Sequence, residues 1–256
     1  MEEKQRTKPS INRINKRFVI LNTVDSTNEY AKKLISSGKS EDFIVFAFEQ
    51  TSGKGRHGSV WLSPHGGAWF SLVLQISDIK FASALLFKSA LAVSDALSLA
   101  GVKTNIRWPN DVLIGDRKVS GCLLESIKGV NDRLRAVVGI GINVNIGEEV
   151  FRDAILQEST TSLLIETGEQ YDVLDLMYAV ASLAIDYFEK SPQLSLDEID
   201  RINSVLYKRG ERVKLIVGGS EVSGLCAGMS VGGMMEIVDN DNHKSSYNHN
   251  EVTMFR

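Results

Sequence analysis

The sequence predicts an α+β fold: a mixed, largely antiparallel sheet with flanking helices, followed by a small C-terminal β-barrel. Three observations lead there. Of 256 residues, 43% are hydrophobic, 24% charged and 7% aromatic, the composition of a globular chain with a packed core. Between residues 103 and 143, short apolar runs are joined by tight turns such as Gly115-Asp116, a meander of hairpins and not a βαβ series. After Gly210 the chain turns to short strand-like runs separated by glycine- and asparagine-rich turns, the pattern of a small antiparallel barrel. The length exceeds one domain of about 150 residues. It divides into a basic tail over 1–16, a large domain over 17–208 and a small domain over 209–256.

The elements follow in order. Residues 17–21 read as a strand, and Ser26 with Glu29 has capping-box spacing ahead of a helix that runs through Leu34 to a stop at Gly38. The run 43–48 is apolar, β-branched and aromatic, as a buried strand requires. The 17 residues that follow are rich in glycine and cations and too long for a mere connector. Residues 68–76 form the next strand, and 81–100 carries apolar residues at helical spacing before Gly101. Strands are expected at 103–108, 111–115, 117–127 and 133–143. Val173, Met177, Val180, Ala184 and Phe188 mark one face of a long helix, with a second helix over 196–207. The barrel strands are 212–217, 221–227, 234–238 and 247–254.

Charge and cysteine content exclude several classes. Residues 1–17 hold six basic side chains against two acidic ones, a net of +4, which leaves −7 on the remaining 239 residues. The short tail has no helical period and no recognition motif, so it reads as solvated, with contact to nucleic acid or acidic lipid as the alternative. The body is not a nucleic-acid binder by charge. Cys122 and Cys226 are the two cysteines, and no metal-ligand cluster accompanies them. There is no cationic apolar leader and no apolar run near the roughly 20 residues a bilayer needs, so the cytoplasm is the expected compartment.

Three clusters could carry chemistry. In Thr51-Ser52-Gly53-Lys54-Gly55-Arg56-His57-Gly58-Ser59, glycines let backbone amides approach an anion while the side chains between them supply positive charge. The segment lacks phosphate-loop and dinucleotide spacing, and a polar surface loop is the other reading. Arg107-Trp108-Pro109-Asn110-Asp111 could be a simple turn, and Lys118, in Arg117-Lys118-Val119-Ser120-Gly121, an exposed strand lysine. Their combination favours a site: Trp61, Trp69 and Trp108 all fall in or beside these clusters.

Those clusters, with Asp25-Ser26-Thr27-Asn28, Glu49-Gln50-Thr51 and Gly139-Ile140-Gly141-Ile142-Asn143-Val144-Asn145, occur in an order that resembles the biotin protein ligases over about residues 17–256. The resemblance implies a class II synthetase-like biotin/lipoyl ligase catalytic domain with an SH3-like C-terminal barrel. It further implies activation of biotin by ATP to biotinyl-5′-adenylate, with loss of pyrophosphate, and transfer to a lysine of a biotin carboxyl carrier protein. Lys54 stands where the family usually has arginine and Arg107 where it usually has lysine, which keeps charge but changes hydrogen-bond geometry. Bifunctional members carry a helix-turn-helix domain ahead of the catalytic one. With 16 residues in that place, the type without a DNA-binding domain is expected, with no DNA or membrane partner and homodimerisation left open.

By the same resemblance, Lys118 bridges the biotin carboxyl group and the α-phosphate, and Arg56, supported by Lys54, clamps the adenylate. Both are the expected catalytic residues, with no covalent nucleophile on the protein. Ser26, Thr27, Asn28, Gln50, Gly53, Lys54, Gly121, Leu123 and Gly139 are implied to join them in binding biotin. Ser26 could also serve as a helix cap. Trp61, Arg107, Asn110 and Asn143 are implied to meet the nucleotide, and Asp111 to hold Mg²⁺. His57 reads as an exposed loop residue and Cys122 as packing. Lipoyl or octanoyl ligation and biotin-responsive DNA binding are the alternative functions.

Overall fold

A computed structural model describes residues 17–154, 156 and 159–255; the basic tail 1–16 lies outside them. Strand β1 (Arg17–Val24), helix α1 (Thr27–Ser36) and strand β2 (Phe43–Gln50) begin the chain. They are followed by β3 (Ala68–Gln75), α2 (Ala82–Leu99), β4 (Asn105–Arg107), β5 (Asp111–Ile114), β6 (Arg117–Lys128) and β7 (Leu134–Ile142). The sheet order is β1-β2-β3-β7-β6-β5-β4. β1 and β2 are parallel across α1, while the other pairs are antiparallel, so the expected mixed sheet and its meander are both present.

The strand period of two decides what each face does. On β2, Phe43 and Val45 join Val73, Val137, Ala31 and Ile35 under α1. Ile44 and Phe46 point the other way, into the main core with Phe70, Leu72, Val138 and Ile140. That second face is covered by α2 and by α5 (Val173–Lys190), after the short helices α3 (Glu148–Asp153) and α4 (Leu163–Thr167), which the sequence reading did not anticipate. α2 is apolar nearly all round because it is enclosed nearly all round. One correction follows: Ile79–Leu99 is long and apolar enough to cross a bilayer by length and composition, contrary to the expectation of no such run. With 78% of that window buried inside the fold, it is a core helix.

After α6 (Leu196–Ser204), a second sheet contains β8 (Arg212–Val217), β9 (Ser220–Met229), β10 (Met235–Val238), β11 (Lys244–Tyr247) and β12 (Val252–Phe255), in the order β11-β10-β9-β8-β12. This curled antiparallel sheet is consistent with the SH3-like barrel. The single strand expected over 247–254 is two strands at opposite edges. Local bonds at Asn248 explain the break, since its Oδ1 accepts from Asn250 N and its carbonyl from Glu251 N. The second sheet shares the main core: Val213, Leu215, Met229, Met235 and Ile237 belong to the same apolar cluster as α2. Trp108 Nε1 donates across to Gly233 O at 3.0 Å.

The core also encloses a charge. Lys88 of α2 is fully buried, donates to Tyr187 O (2.8 Å) and Ser191 O (2.7 Å) at the end of α5, and lies 3.3 Å from Glu198 Oε1 on α6. Burial pushes its ammonium below the usual lysine range, against the pull of Glu198. Replacing it by alanine strands a carboxylate and two helix-end carbonyls, so Lys88→Ala should cost about 3 to 5 kcal/mol. The measurement is the shift in urea midpoint at constant slope, and a loss under 1 kcal/mol would contradict this account.

Candidate functional site

On the α1 side of the sheet, the side chains become small between Val73 and Trp69. Val73 gives way to Ser71 on β3, and Val137 to Gly139 and Gly141 on β7, with Ser71 paired to Gly139 and Trp69 to Gly141. β6 places Leu123 opposite Gly139 and Gly121 opposite Gly141. The missing bulk leaves a cavity of about 590 Å³, the size of a small-molecule site. Every residue singled out for a site in the sequence lines it, except Gly53 and Arg107. Those two stand behind it.

One end is neutral and hydrogen-bonded throughout. Gln50 Oε1 accepts from Thr27 N (2.8 Å) and Thr27 Oγ1 (3.1 Å), while its Nε2 donates to Ser63 Oγ (2.8 Å). Ser71 Oγ donates to Asn28 Oδ1 (2.6 Å) and lies 2.8 Å from Thr27 Oγ1. Ser26 occupies the N-cap position of α1, but the expected capping box is absent because its side chain makes no cap bond. Asp25 Oδ1 takes the Ser26 N–H instead (2.8 Å), and Glu29 is drawn to Lys32 (2.8 Å) and Lys54 (2.5 Å). Two ammonium groups outcompete one backbone amide for that carboxylate, and both hold it below the usual range.

The long loop is an irregular hairpin. Gln50 bridges Ser63, Lys54 bridges Val60, and Gly55 N donates to Ser59 O at 2.8 Å. Gly53 is needed here for packing, because any Cβ would collide with Trp61 O and Ser63 Oγ. His57 sits exposed at the tip with φ 54°. Lys54 does not stand with Arg56, as expected of a shared clamp, but reaches back to Glu29 on α1. Arg56 turns inward. It donates to Asn110 Oδ1 (3.2 Å) and to two carbonyls of the second sheet region, His249 O (2.6 Å) and Val252 O (3.0 Å). Burial pulls its guanidinium below the usual range, opposed by Asp111. Burial, then Arg56, likewise hold the His249 imidazole down.

The other end is charged. Lys118 Nζ lies 2.5 Å from Asp111 Oδ1, and Arg107 donates to Asp111 Oδ2 at 2.8 Å. Lys118 and Asp111 therefore form a close, largely buried ion pair. Burial raises the Asp111 carboxyl, but Lys118 and Arg107 together override it and hold it below its ordinary value. A register shift between Val112 and Leu113 pairs Leu113 with Lys118, leaving Val119 as the extra residue. Val119 and Cys122 point into the main core. Strict alternation would send Lys118 there too, but the bulge re-aims it toward Gly121 and the cavity. A Cβ on Gly121 would lie 2.9 Å from Lys118 Cε. The ammonium lies 4.8 Å from the centroid of the Trp61 ring, whose edge meets Trp69.

Sequence reading missed Ser71, Ser63, Glu125 and His249. Ser71 left a signal: it is the lone polar residue in Ala68–Leu74, an otherwise apolar strand segment. The others depend on long-range packing. Cys122 is inert as expected, since burial, then the Asp111 charge, push its thiol up to about 12, and burial takes Cys226 to about 11. At pH 8 neither should react with iodoacetamide in the native state, and both should react in denaturant. Mass spectrometry measures this, and rapid native labelling of Cys122 would refute its assignment to packing.

The Biotin/lipoate A/B protein ligase family matches residues 20–143. The chain is 32% identical over 231 residues to the bifunctional ligase/repressor BirA of Salmonella typhimurium, covering 84% of this chain and 68% of that protein. It is 40% identical over 167 residues to the biotin--[acetyl-CoA-carboxylase] ligase of Paracoccus denitrificans, covering 62% of this chain and 68% of that one. It spans about half the length of the two Bacillus BirA proteins it also matches, at 48% and 46%. Among solved structures, the Aquifex aeolicus biotin protein ligase in complex with biotin and ATP superposes with a TM-score of 0.74 at 31% identity, over 94% of this chain and 99% of that one. The chain therefore belongs to the biotin protein ligases of the biotin/lipoate A/B protein ligase family.

Proposed function

We propose that this chain joins biotin to ATP as biotinyl-5′-adenylate, releasing pyrophosphate, and passes biotin to a lysine of a biotin carboxyl carrier protein. The observation that carries the reading is Lys118, a cation aimed by a β-bulge into the cavity between a neutral recognition end and Arg56. Residues 17–208 are the catalytic domain in this reading and 209–256 the barrel.

Ser26, Thr27, Asn28 and Gln50, with the bare strands at Gly121, Leu123 and Gly139, receive the ureido ring. Biotin's carboxylate and the α-phosphate repel one another, and a central ammonium with three donors relieves this as charge builds. One donor direction faces Asp111, leaving others for substrate oxygens. Arg56 uses three of its five N–H groups on protein acceptors, which leaves two for the nucleotide. Trp61 with Asn110 and Asn143 lines the nucleotide side, and the hairpin excludes water from the mixed anhydride. Arg107, behind the cavity, acts by holding Asp111. In the second half-reaction the carrier amine attacks the acyl carbon and AMP leaves.

Magnesium fits as an ATP-borne ion. Asp111 Oδ1 is buried and meets the Lys118 ammonium, and this carboxylate would supply the one protein carboxylate such an ion needs beside phosphate oxygens. Bound there, it would neutralise charge on the phosphates. Free buried cysteines suit the cytoplasm. The −7 charge of the body disfavours DNA as a partner of this part of the chain.

A lipoyl or octanoyl ligase is the second reading, and the neutral polar end opposes it. An aliphatic chain would leave the remaining lone pairs and N–H groups of that end facing apolar surface, a desolvation cost of roughly 1 to 3 kcal/mol for each one left unmet. ATP–pyrophosphate exchange should therefore proceed with biotin and not with octanoate or lipoate. Comparable exchange with octanoate would end the biotin assignment. Lys118→Met keeps the apolar stem and removes the charge, and should lower the exchange rate by about 10² to 10³ or more. A rate within threefold of wild type would remove Lys118 from the reaction.

A further inference from the structure

We propose that Glu125 is a positioning residue that locks the Asn28 side-chain amide in one orientation, so that the recognition end offers a carbonyl acceptor to a ligand N–H. This deepens the biotin reading and rests on it: the ligand class is a cyclic urea.

Glu125 lies near the end of β6, and its carboxylate takes Asn28 Nδ2–H on one oxygen (2.8 Å) and Lys32 Nζ on the other (2.7 Å). An ionised carboxylate only accepts hydrogen bonds, so it can face the amide nitrogen of Asn28 and never its oxygen. Oδ1 must then point the opposite way. There the Ser71 hydroxyl donates to it at 2.6 Å, and β7 carries Gly139, where a Cβ would lie 2.6 Å from the same oxygen. Ser71 uses one of two lone pairs, and Asn28 and Gly139 both line the cavity. The second lone pair is the acceptor for a ligand N–H. The opposite amide orientation would turn two donors to that position and repel the same ligand. Lys32 also bonds Glu29, which bonds Lys54 of the hairpin, so an alternating chain of charges runs from Glu125 to the loop.

The competing role for Glu125 is stability through Lys32 alone. Glu125→Gln separates the two, because a neutral amide at 125 can accept from or donate to Asn28 and no longer dictates its orientation. In ATP–pyrophosphate exchange, Glu125→Gln should raise the biotin KM about 5- to 10-fold and leave the ATP KM and kcat within twofold. Lys32→Met, which breaks the ion pair and keeps the carboxylate, should leave all three within twofold, and Glu125→Asp should recover most of the biotin KM. An unchanged biotin KM in Glu125→Gln, or an equal rise in Lys32→Met, would overturn the proposal. Wild-type protein without biotin exchange would instead overturn the proposed function. The orientation is then read without ligand, from the Asn28 side-chain NH₂ in ¹⁵N spectra: slow hydrogen exchange in wild type supports the lock, and fast exchange refutes it even where Glu125→Gln fails to fold.

Discussion

The buried carboxylate of Asp111 is the constraint around which the charged half of the cavity is built. An unpaired carboxylate in that position would cost several kcal/mol, and with both oxygens paired it is tolerable. Arg107 comes from the end of β4, Asp111 from the start of β5 and Lys118 from β6, so one anion fixes the alignment of three strands. The depressed carboxyl contributes stability above the unfolded value near 3.9, and that contribution disappears as pH falls through the folded value. The same pairing leaves Lys118 extended over Gly121 and against Trp61 before any substrate arrives. Its orientation costs nothing further at the moment of reaction.

Much of the fold was legible because it follows local rules. Alternation in β2 assigns Phe43 and Val45 to one face and Ile44 and Phe46 to the other, and the apolar period of 81–100 gave α2 to within a residue. The site residues were legible through their order along the chain, which carries the resemblance to the family. What stayed hidden depends on pairings the chain does not announce. The bulge at Val119 follows from the competition between keeping Val119 and Cys122 in the core and keeping Lys118 out of it. The capping box at Ser26 had the right spacing, but Glu29 met two lysines, one from a loop 25 residues away. The 247–254 strand failed because Asn248 bonds its own neighbours.

Arg56 shows why the C-terminal sheet cannot be treated as an appendage. Its guanidinium bonds the carbonyls of His249 and Val252, 193 and 196 residues further along the chain, so the hairpin over the cavity is tied down by the second sheet. His249 also sets its ring edge-on to Phe87 of α2, with centroids 5.9 Å apart, and thereby joins that tether to the main core. A loop of this composition would otherwise be free to move. The five-donor guanidinium can serve protein carbonyls and a ligand together, which lysine could not do with the same geometry.

The two ends of the cavity demand opposite physics, and β6 supplies both. Near Lys118 the requirement is charge in a low-dielectric setting, where an ammonium is most effective against developing negative charge and must be balanced by Asp111 until then. At the neutral end a net charge facing the ligand would waste a urea, which offers only dipoles, so Asn28, Thr27, Gln50 and Ser71 present neutral groups. The carboxylate that orients Asn28, that of Glu125, is set one bond behind, with Lys32 on its other oxygen. Gly121, Leu123 and Glu125 share one face of β6 by alternation, and the bulge adds Lys118 to that face. A single strand with one irregularity therefore aligns recognition and chemistry along the same line, and moving the bulge by one residue would separate them.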